Sequence, residues 1–362
     1  MSVKNYEKYT PDEFKNKTPK ELGYYFPAEF FPHRATWLSW PHKELSWPGK
    51  IEKIYEPYSR FIAEISKGEL VNINVNSAEM KDFALQYIKR TDADLNNITF
   101  YIHPTNDAWC RDHGPAFLIN PKSVEHKKSI VNWNFNAWGN KYPPYDLDNK
   151  IPLLIAKEEK LPVFTPGIVM EGGSVEFNGK GTVLTSKSCL LNENRNPQIG
   201  QERIEKYLKD FYGVEQVLWV DDGIVGDDTD GHIDDTVRFV NDNTVLAVVE
   251  SNPEDENYEL LQVNLRQLKK MKLLDGQPLN VVELPMPSPV FCEGQRLPAS
   301  YANFYIANES VIVPVFNCEN DEIALNIIQQ CFPDRKILGI DSTDIVWGLG
   351  SFHCLSQQEP AI

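Results

Sequence analysis

The sequence predicts a mixed α/β protein, and three observations support that fold class. Short apolar segments with the two-residue period of strands alternate along the chain with amphipathic segments of helical length. Polar loops that carry Asp, His and Glu recur beside the predicted strands. No Gly/Ser-rich linker, charge block or low-complexity segment interrupts the chain, which favours one domain over two. The recurrence favours a radial repeat of similar units, although periodicity alone also allows a two-layer α+β sheet.

The N-terminal elements follow from local patterns. Residues 1–25 are polar and mixed in charge, and we expect them to form a loose lead-in to a single domain at 26–362. Alternation of residue type over 36–40 predicts a short strand. An apolar helical face predicts a helix over 56–67, with Pro57 in its first turn. Further strands are predicted at 71–75, 98–103, 116–119, 175–177 and 183–185, and a further helix at 78–89.

The C-terminal elements are bounded by clearer stop signals. A helix is predicted over 204–212 because Gly213 directly follows its apolar face, and a strand is predicted at 217–220. Four leucines on one face predict a helix over 258–272. The remaining predicted elements are hairpins at 236–240 with 244–249 and at 304–306 with 310–315, a helix at 321–332 and a strand at 337–340.

Composition excludes several classes of protein. The chain of 362 residues has a formal net charge of −16, so it lacks the excess of positive charge that nucleic-acid binding requires. No apolar run approaches membrane-spanning length, and residues 1–20 contain no apolar segment of a signal peptide. The six cysteines lack CxxC spacing, so we expect free thiols in a reducing compartment. These features predict a cytoplasmic protein without nucleic-acid or membrane partners.

Two polar loops place an acid beside residues that allow close packing. In the first loop, Trp109 is followed by Arg111 and Asp112, which sets an aromatic wall beside a carboxylate. The alternative is a turn with an Arg111–Asp112 salt bridge. In the second loop, Glu171 is followed by Gly172 and another glycine, which permits a close backbone approach beside an acid. The alternative there is an ordinary turn.

The third loop, residues 226–235, concentrates five aspartates around His232. Such a loop is costly unless a cation compensates the charge. An EF-hand is excluded, because Gly231 at loop position six would put Gly226 and Val237 where acids are required. A transition-metal site built on His232 and Asp234 stays open, but no second histidine cluster supports it. An organic cation fits the loop better.

The C-terminal stretch contributes a thiol. Cys354 follows small residues, as a nucleophile at the mouth of a pocket would, although cysteine is also a common core residue. Taken together, the loops offer a Cys, a His, a Glu and two Asp. This set suits attack on a guanidinium carbon, because two carboxylates can match the planar cation and a thiolate is a strong nucleophile.

Four motifs carry a family resemblance. They are Trp109-Cys110-Arg111-Asp112-His113-Gly114-Pro115, Glu171-Gly172-Gly173, Gly231-His232-Ile233-Asp234 and Gly350-Ser351-Phe352-His353-Cys354. Supporting stretches are Pro27-Ala28-Glu29-Phe30, Asn192-Glu193-Asn194-Arg195-Asn196-Pro197 and Leu297-Pro298-Ala299-Ser300-Tyr301. In order and combination they resemble the guanidine-modifying superfamily and, within it, the agmatine deiminase group, which is classed with the bacterial-type peptidylarginine deiminases. The resemblance runs from about residue 26 to the C-terminus.

The resemblance implies a fold and a set of residue roles. The fold is a five-bladed α/β propeller of ββαβ units around a central pocket. The implied roles are Cys354 as nucleophile, His232 as general acid and then base, Glu171 as its orienting acid, Asp112 and Asp234 as the guanidinium clamp, Trp109 as a wall, Gly172 as a backbone contact to substrate and Asp228 as the partner of a distal amine. Cys110, a second thiol near the implied pocket, lacks the context of a nucleophile.

The implied activity is hydrolysis of agmatine, a small cationic guanidine, to N-carbamoylputrescine and ammonia, with no cofactor or metal and in a homo-oligomer. Free arginine, methylated arginine or peptidyl arginine are alternative substrates, but the acids Asp227, Asp228 and Asp230 favour an amine at the far end. Amidinotransferase activity, which shares the nucleophile, stays open, as does a cation-binding module without catalysis. A cysteine protease is disfavoured, since nothing resembles the helical setting of a papain-type cysteine.

Overall fold

The computed structural model describes residues 7–362 and confirms a mixed α/β protein. The strands are β1 His33–Ser39, β2 Leu70–Val75, β3 Ile98–Ile102, β4 Ala116–Ile119, β5 Lys128–Val131, β6 Val163–Phe164, β7 Val175–Phe177, β8 Thr182–Ser186, β9 Gln216–Val220, β10 Val237–Phe239, β11 Thr244–Val249, β12 Asn280–Pro285, β13 Phe291–Cys292, β14 Gln295–Arg296, β15 Tyr305–Ile306, β16 Ser310–Val315, β17 Lys336–Asp341 and β18 Ser356–Pro360. The helices are α1 Asp12–Asn16, α2 Ile51–Ser66, α3 Ala78–Ile88, α4 Cys110–His113, α5 Ala137–Asn140, α6 Ile151–Glu159, α7 Lys187–Leu190, α8 Gln201–Tyr212, α9 Asn257–Leu268 and α10 Asn320–Cys331. Short 3₁₀ turns lie at Lys20–Leu22, Glu44–Ser46, Leu95–Asn97, Asp148–Lys150, Gly172–Ser174, Ile233–Asp235 and Ile345–Gly348.

Five of the sheets share one strand pattern. Each contains an antiparallel pair, and the second strand of that pair then runs parallel to a third strand. The third strand follows a helical crossover, as parallel strands require. The sheets, in strand order, are β18-β1-β2-β3, β4-β5-β6, β7-β8-β9, β10-β11-β12 and β15-β16-β17. The unit is therefore ββαβ, and a separate hairpin, β13-β14, lies outside this pattern.

The last strand, β18, is a buried edge strand of the first sheet although its sequence is polar. It pairs antiparallel with β1, and all its residues from Ser356 to Pro360 are buried. Its charges are compensated: Glu359 accepts hydrogen bonds from Lys128 Nζ at 2.6 Å and from Arg34 Nη1 at 2.7 Å. The hydrophobic pattern did not predict this strand because its buried residues are polar. Ion pairs, not apolar contacts, stabilise the buried Glu359.

Helix α2 differs from its prediction. It begins at Ile51 rather than at residue 56, so Pro57 lies inside the helix and not in its first turn. The apolar face extends further back than expected, because Ile54 and Tyr55 are also buried in the core. Packing of this face outweighs the backbone hydrogen bond that a proline cannot donate.

The expected loose lead-in is partly wrong. Residues 1–6 lie outside the described residues, but Phe14 and Tyr24 are buried and their rings lie 5.7 Å apart. Both pack against Phe164 of β6. The sequence-based prediction missed β5, β6, α6 and β12, whereas strands β4 and β7 match their predicted bounds.

Among the described residues, no helix is both long and apolar enough to cross a membrane.

A buried histidine–carboxylate pair ties the first sheet to the fifth. His33 Nδ1 lies 3.1 Å from Glu69 Oε1, and Nε2 lies 2.7 Å from the carbonyl oxygen of Glu29. Glu69 also accepts hydrogen bonds from Thr36 and from the backbone of Asn308. Burial would lower the pKa of His33, but Glu69 and Glu29 raise it above its ordinary value of 6.5.

This pair predicts a pH-dependent stability. The stabilisation from protonated His33 is fully present below its unfolded pKa and is lost as pH rises through the raised folded pKa. At about pH 6, His33→Gln is expected to lower the free energy of unfolding by about 3 kcal/mol, because the Glu69 carboxylate stays buried without its partner. Urea denaturation across pH should show the difference narrowing at alkaline pH. His126→Gln, at a histidine with no carboxylate partner in the described chain, is the control, and a pH-independent difference for His33→Gln would contradict the assignment.

Candidate active site

The candidate site is assembled from one position in each ββαβ unit, the turn that precedes the unit's first strand. The residues at these positions are Asp112 before β4, Glu171 before β7, His232 before β10, Asn303 before β15 and Cys354 before β18. Contacts described below join all five turns. The site is therefore where the units meet, and no single segment of the chain could form it alone.

His232 is completely buried between acidic groups. Its Nε2 lies 3.4 Å from Glu171 Oε2. Its Nδ1 has no hydrogen-bond partner among residues 7–362 and lies 3.9 Å from Asp112 Oδ1 and 4.0 Å from Asp234 Oδ1. Burial lowers the pKa of His232, but Asp112, Cys189 and Glu171 raise it well above 6.5. These neighbours favour the imidazolium form of His232, whose Nδ1 lies close to two carboxylates.

Glu171 is held as a carboxylate by Arg195. Arg195 Nε donates to Glu171 Oε1 at 2.6 Å, and its Nη1 donates to Asp230 Oδ2 at 2.5 Å. Burial raises the pKa of Glu171, but Arg195 and His232 lower it below 4.5 overall. The Cys189 thiol lies 3.8 Å from Glu171 Oε2. Glu171, Cys189 and His232 are close enough to share an ion, but Arg195 already occupies one carboxylate oxygen of Glu171.

Asp112 and Asp234 are both buried, and each has hydrogen-bonding partners that fix its orientation. Asp112 Oδ1 accepts from the backbone of Gly173 at 2.9 Å, and Oδ2 accepts from Trp138 Nε1 at 2.9 Å. Asp234 Oδ2 lies 2.5 Å from His353 Nδ1, while Oδ1 has no partner in the described structure. Burial raises the pKa of Asp112, and it would raise that of Asp234 too, but His353 lowers the pKa of Asp234 below 3.8.

Gly173 marks the point on which these groups converge. A Cβ atom at this position would lie 2.5 Å from His232 Nδ1, 3.0 Å from Asp234 Oδ2 and 3.1 Å from Asp112 Oδ1. Any side chain would therefore collide with the histidine and fill the space between the carboxylates. The glycine is required by close approach, not by a left-handed backbone.

Cys354 borders the same space and is 5% exposed. Its Sγ lies 3.7 Å from Asp234 Oδ2 and accepts from Asn303 Nδ2 at 3.0 Å. Burial raises the pKa of Cys354, as do Asp234, Asp235 and Asp112, so it stands well above 9.0 although Asn303 opposes the shift. The thiol form of Cys354 is therefore favoured in the free protein.

Trp109 lies against the chain that leads into Cys354. Its ring stacks on Trp47 with ring centroids 5.2 Å apart. A Cβ at Gly350 would lie 2.7 Å from Trp109 Cζ3 and 3.3 Å from Cys354 Sγ, and one at Gly348 would lie 2.9 Å from Trp109 Cζ2. The two glycines thus leave space for the indole beside the chain that leads into Cys354, which explains the small residues that precede it.

The charge repulsion within the acidic loop at 226–235 is offset because other groups of the protein bind most of its carboxylates. Asp227 accepts the backbone N–H groups of Gly231 and His232 at 2.9 and 3.0 Å. Asp230 pairs with Arg195 and Lys141. The carboxylate of Asp228, by contrast, has one partner within residues 7–362, the neutral hydroxyl of Tyr142, which donates to Oδ2. Asp228 Oδ1 is left for an external donor.

A pocket of about 520 Å³ lies beside these groups, although Glu171, His232 and Asp234 do not line it. Asp112 and Cys354 line it at its buried end, and Tyr142 and Leu45, which are 40% and 81% exposed, line it toward solvent. Asp228 lies on its wall as well. The pocket therefore runs from the thiol to an acidic group nearer the surface.

Two residues of these loops make contacts that the sequence did not indicate. Gly172 does not line this pocket; a Cβ there would lie 2.2 Å from the carbonyl oxygen of Arg111, so its close approach serves packing. Arg111 does not pair with Asp112 either. Its Nη2 donates to Glu29 Oε2 at 3.0 Å, which leaves Asp112 available at the pocket.

The sequence model of the Porphyromonas-type peptidyl-arginine deiminase family matches residues 25–360. The chain belongs to this family.

Individual relatives match over nearly their full length. A protein of Legionella pneumophila (strain Paris) is 39% identical over 95% of this chain and 98% of its own length. The agmatine deiminase of Pseudomonas syringae pv. tomato is 34% identical and covers 96% of this chain and 98% of its own. The solved agmatine deiminase of Enterococcus faecalis superposes with a TM-score of 0.88 at 36% identity, across 95% of this chain and 98% of that chain.

Sequence reasoning missed several residues of this deiminase-family site. Asn303 escaped notice although it directly precedes the predicted strand at 304–306. Arg195 lay in a matching motif, but nothing in the sequence indicated that it would reach Glu171. The sequence did not indicate a role for Trp138, because its contact with Asp112 depends on an unusual backbone turn.

Asn303 predicts a measurable effect on the thiol. Asn303→Ala removes the N–H donor to Cys354 Sγ, so the pH midpoint of iodoacetamide alkylation at Cys354 should rise by about one to two units. Peptide mass spectrometry would separate Cys354 from the other cysteines. Asn264→Ala, at a buried asparagine that bonds the backbone of Asp222, should leave the midpoint unchanged. An unshifted midpoint in Asn303→Ala would show that this hydrogen bond does not stabilise the thiolate.

Proposed function

We propose that the chain is an agmatine deiminase, a hydrolase of the guanidine C–N bond that converts agmatine and water to N-carbamoylputrescine and ammonia. One observation carries the proposal: His232 Nδ1 lies 3.9 Å from Asp112 and 4.0 Å from Asp234, and Cys354 Sγ lies 3.7 Å from Asp234. The named relatives from Pseudomonas syringae and Enterococcus faecalis support the substrate.

The guanidinium would bind between the two clamp aspartates. Asp234 Oδ1 has no partner among the described residues, and Asp112 retains lone pairs beyond its bonds to Gly173 and Trp138. Carboxylates on two edges of a planar guanidinium accept its N–H groups and hold the carbon beside Cys354 Sγ. The aliphatic chain would pass along Trp109, whose stacked indole is fixed by Trp47.

Substrate binding would also activate the nucleophile. In the free protein, burial and three aspartates hold the Cys354 pKa well above 9.0. A bound guanidinium cation offsets the charge of Asp112 and Asp234, which favours the thiolate, and the thiol proton passes to solvent. The reactive form of Cys354 is therefore generated mainly when the cation is present, which limits side reactions of the free thiol.

Catalysis would proceed in two halves through one covalent intermediate. The Cys354 thiolate attacks the guanidinium carbon, and protonated His232 gives its proton to the departing amino group, which leaves as ammonia. The product of this half is an amidino-thioether on Cys354. Neutral His232 then takes one proton from water, which attacks the same carbon. The C–S bond breaks, the second proton of the water passes to the Cys354 sulfur, and N-carbamoylputrescine is released. Glu171 stays ionised and holds the imidazole in place.

The distal end of the pocket favours an amine over an amino acid. Asp228 offers an unpartnered oxygen there, whereas the cationic side chains that line the pocket in the described chain are already paired. Lys43 lies 3.3 Å from Asp107, and Lys141 lies 2.8 Å from Asp230. The α-carboxylate of arginine would lack a free cation, while the ammonium of agmatine would meet a carboxylate.

We further propose that residues 26–362 form one catalytic domain and that its five ββαβ sheets are the blades of a five-bladed α/β propeller around this pocket. The repeated strand order supports this arrangement, as does the pairing of β18 with β1, which unites the two ends of the chain in one sheet. The equivalent placement of site residues before the first strand of each unit is what a radial arrangement requires.

A substrate panel tests the activity. Agmatine should release ammonia and a ureido product, with kcat/KM at least about 100-fold above that for arginine, a methylarginine or an arginyl peptide, since the Asp228 carboxylate at the far end of the pocket repels a second carboxylate. Cys354→Ser should lose turnover by a factor of about 10³ or more while retaining its thermal unfolding midpoint. A preference for arginine, or activity that survives in folded Cys354→Ser, would overturn the proposal.

A further inference from the structure

Residues 136–142, here called the strap, have an unusual backbone. Ala137, Trp138, Gly139 and Asn140 all have positive φ angles, of 50°, 55°, 88° and 63°. Successive residues with side chains rarely adopt this left-handed conformation, because Cβ then crowds the following carbonyl oxygen. Such strain persists only where surrounding contacts enforce it, and it concentrates at functional sites.

Specific contacts enforce the left-handed turn. Asn136 Oδ1 accepts from the Gly139 N–H at 2.9 Å, and its Nδ2 donates to the carbonyl oxygen of Asn194 at 3.0 Å. The Tyr145 hydroxyl donates to Asn140 Oδ1 at 2.6 Å. A Cβ at Gly139 would lie 2.5 Å from Asn194 Cγ, so a glycine is needed there for space as well as for conformation. The strap is thus clamped to the segment that also carries Arg195.

The strap reaches both acids that would bind the substrate. Trp138 Nε1 donates to Asp112 Oδ2 at 2.9 Å at the guanidinium end. The Tyr142 hydroxyl donates to Asp228 Oδ2 at the amine end. The two rings contact each other edge to face, with centroids 5.8 Å apart, and both line the pocket. A single rigid turn therefore orients one carboxylate at each end of the pocket.

We propose that the strap is a specificity element that fixes the spacing between Asp112 and Asp228, so that the enzyme selects ω-aminoalkyl guanidines by the length of their chain. This inference rests on the proposed deiminase function and adds to it how substrate length is measured. Trp138 and Tyr142 are positioning residues: each acts through a carboxylate whose second oxygen faces the substrate. Lys141 reinforces the arrangement by anchoring the strap to Asp230 and to the backbone carbonyl of Asp228.

The two positioning residues predict different kinetic signatures. Tyr142→Phe removes the hydroxyl that holds Asp228, so KM for agmatine should rise about 10-fold with little change in kcat. Trp138→Phe removes the N–H that holds Asp112, so kcat should fall about 10-fold or more for every guanidine, whatever its tail. Tyr142 is half-exposed and its substitution should not impair folding.

The test uses guanidines whose amine follows three, four, five or six methylenes, together with butylguanidine, which has no amine. The wild type should show a sharp maximum of kcat/KM at the four-methylene chain of agmatine. Tyr142→Phe should flatten this maximum and leave butylguanidine unchanged. Asp228→Asn should flatten it further, as removal of the acid itself requires. Trp40→Phe and Tyr207→Phe, which make the same chemical changes away from the pocket, are the matched controls.

The outcomes separate the two proposals. A wild type that is inactive toward all these guanidines would overturn the proposed function and the length selection with it. A wild type that prefers agmatine, an Asp228→Asn variant that loses this preference and a Tyr142→Phe variant with an unaltered length profile would leave the function intact and overturn the role of the strap. A Trp138→Phe variant that changes KM for agmatine alone would likewise contradict its assignment to the guanidinium end.

Discussion

The carboxylate of Glu29 is the interaction on which the rest of the structure depends. It is buried, and it accepts hydrogen bonds from Arg111 at 3.0 Å, Arg238 at 2.9 Å and the backbone of Ile306 at 2.9 Å, while His353 Nε2 lies 2.7 Å away. Burial raises the pKa of Glu29, but Arg238, His353 and Arg111 hold it well below 4.5. Because these donors come from different units, one buried anion fixes how the sheets meet.

The Glu29 carboxylate also determines the geometry of the site. His353 bridges Glu29 and Asp234, since its Nε2 faces the first carboxylate and its Nδ1 lies 2.5 Å from the second. The next residue is Cys354, whose carbonyl oxygen accepts the backbone N–H of Arg111 at 3.1 Å. The position of the thiol and the orientation of Asp234 therefore both follow from ion pairs behind the pocket. A defect in these pairs would act on the chemistry without any contact with substrate.

The sequence was sufficient for residues whose role is visible in local pattern. Apolar periodicity predicted strands such as β4 and β7, and charge concentration singled out the loop around His232. It was insufficient where distant polar contacts decide the outcome. The polar strand β18 is buried because Lys128 and Arg34 meet Glu359, and nothing in its own residues shows this. The left-handed backbone of the strap could not be predicted for a different reason. Residues such as Ala137 and Trp138 rarely adopt positive φ angles, so their presence in the sequence does not indicate such a turn.

The central claim is that Cys354 carries the reacting carbon of the substrate. The most direct measurement is rapid acid quench of the protein with saturating agmatine during the first turnover, followed by proteolysis and peptide mass spectrometry. If Cys354 is the nucleophile, the peptide that contains it should carry an adduct with the mass of agmatine less ammonia. The peptide that contains the buried Cys110 should carry none. Turnover without an adduct on Cys354, or with the adduct on another residue, would contradict this claim.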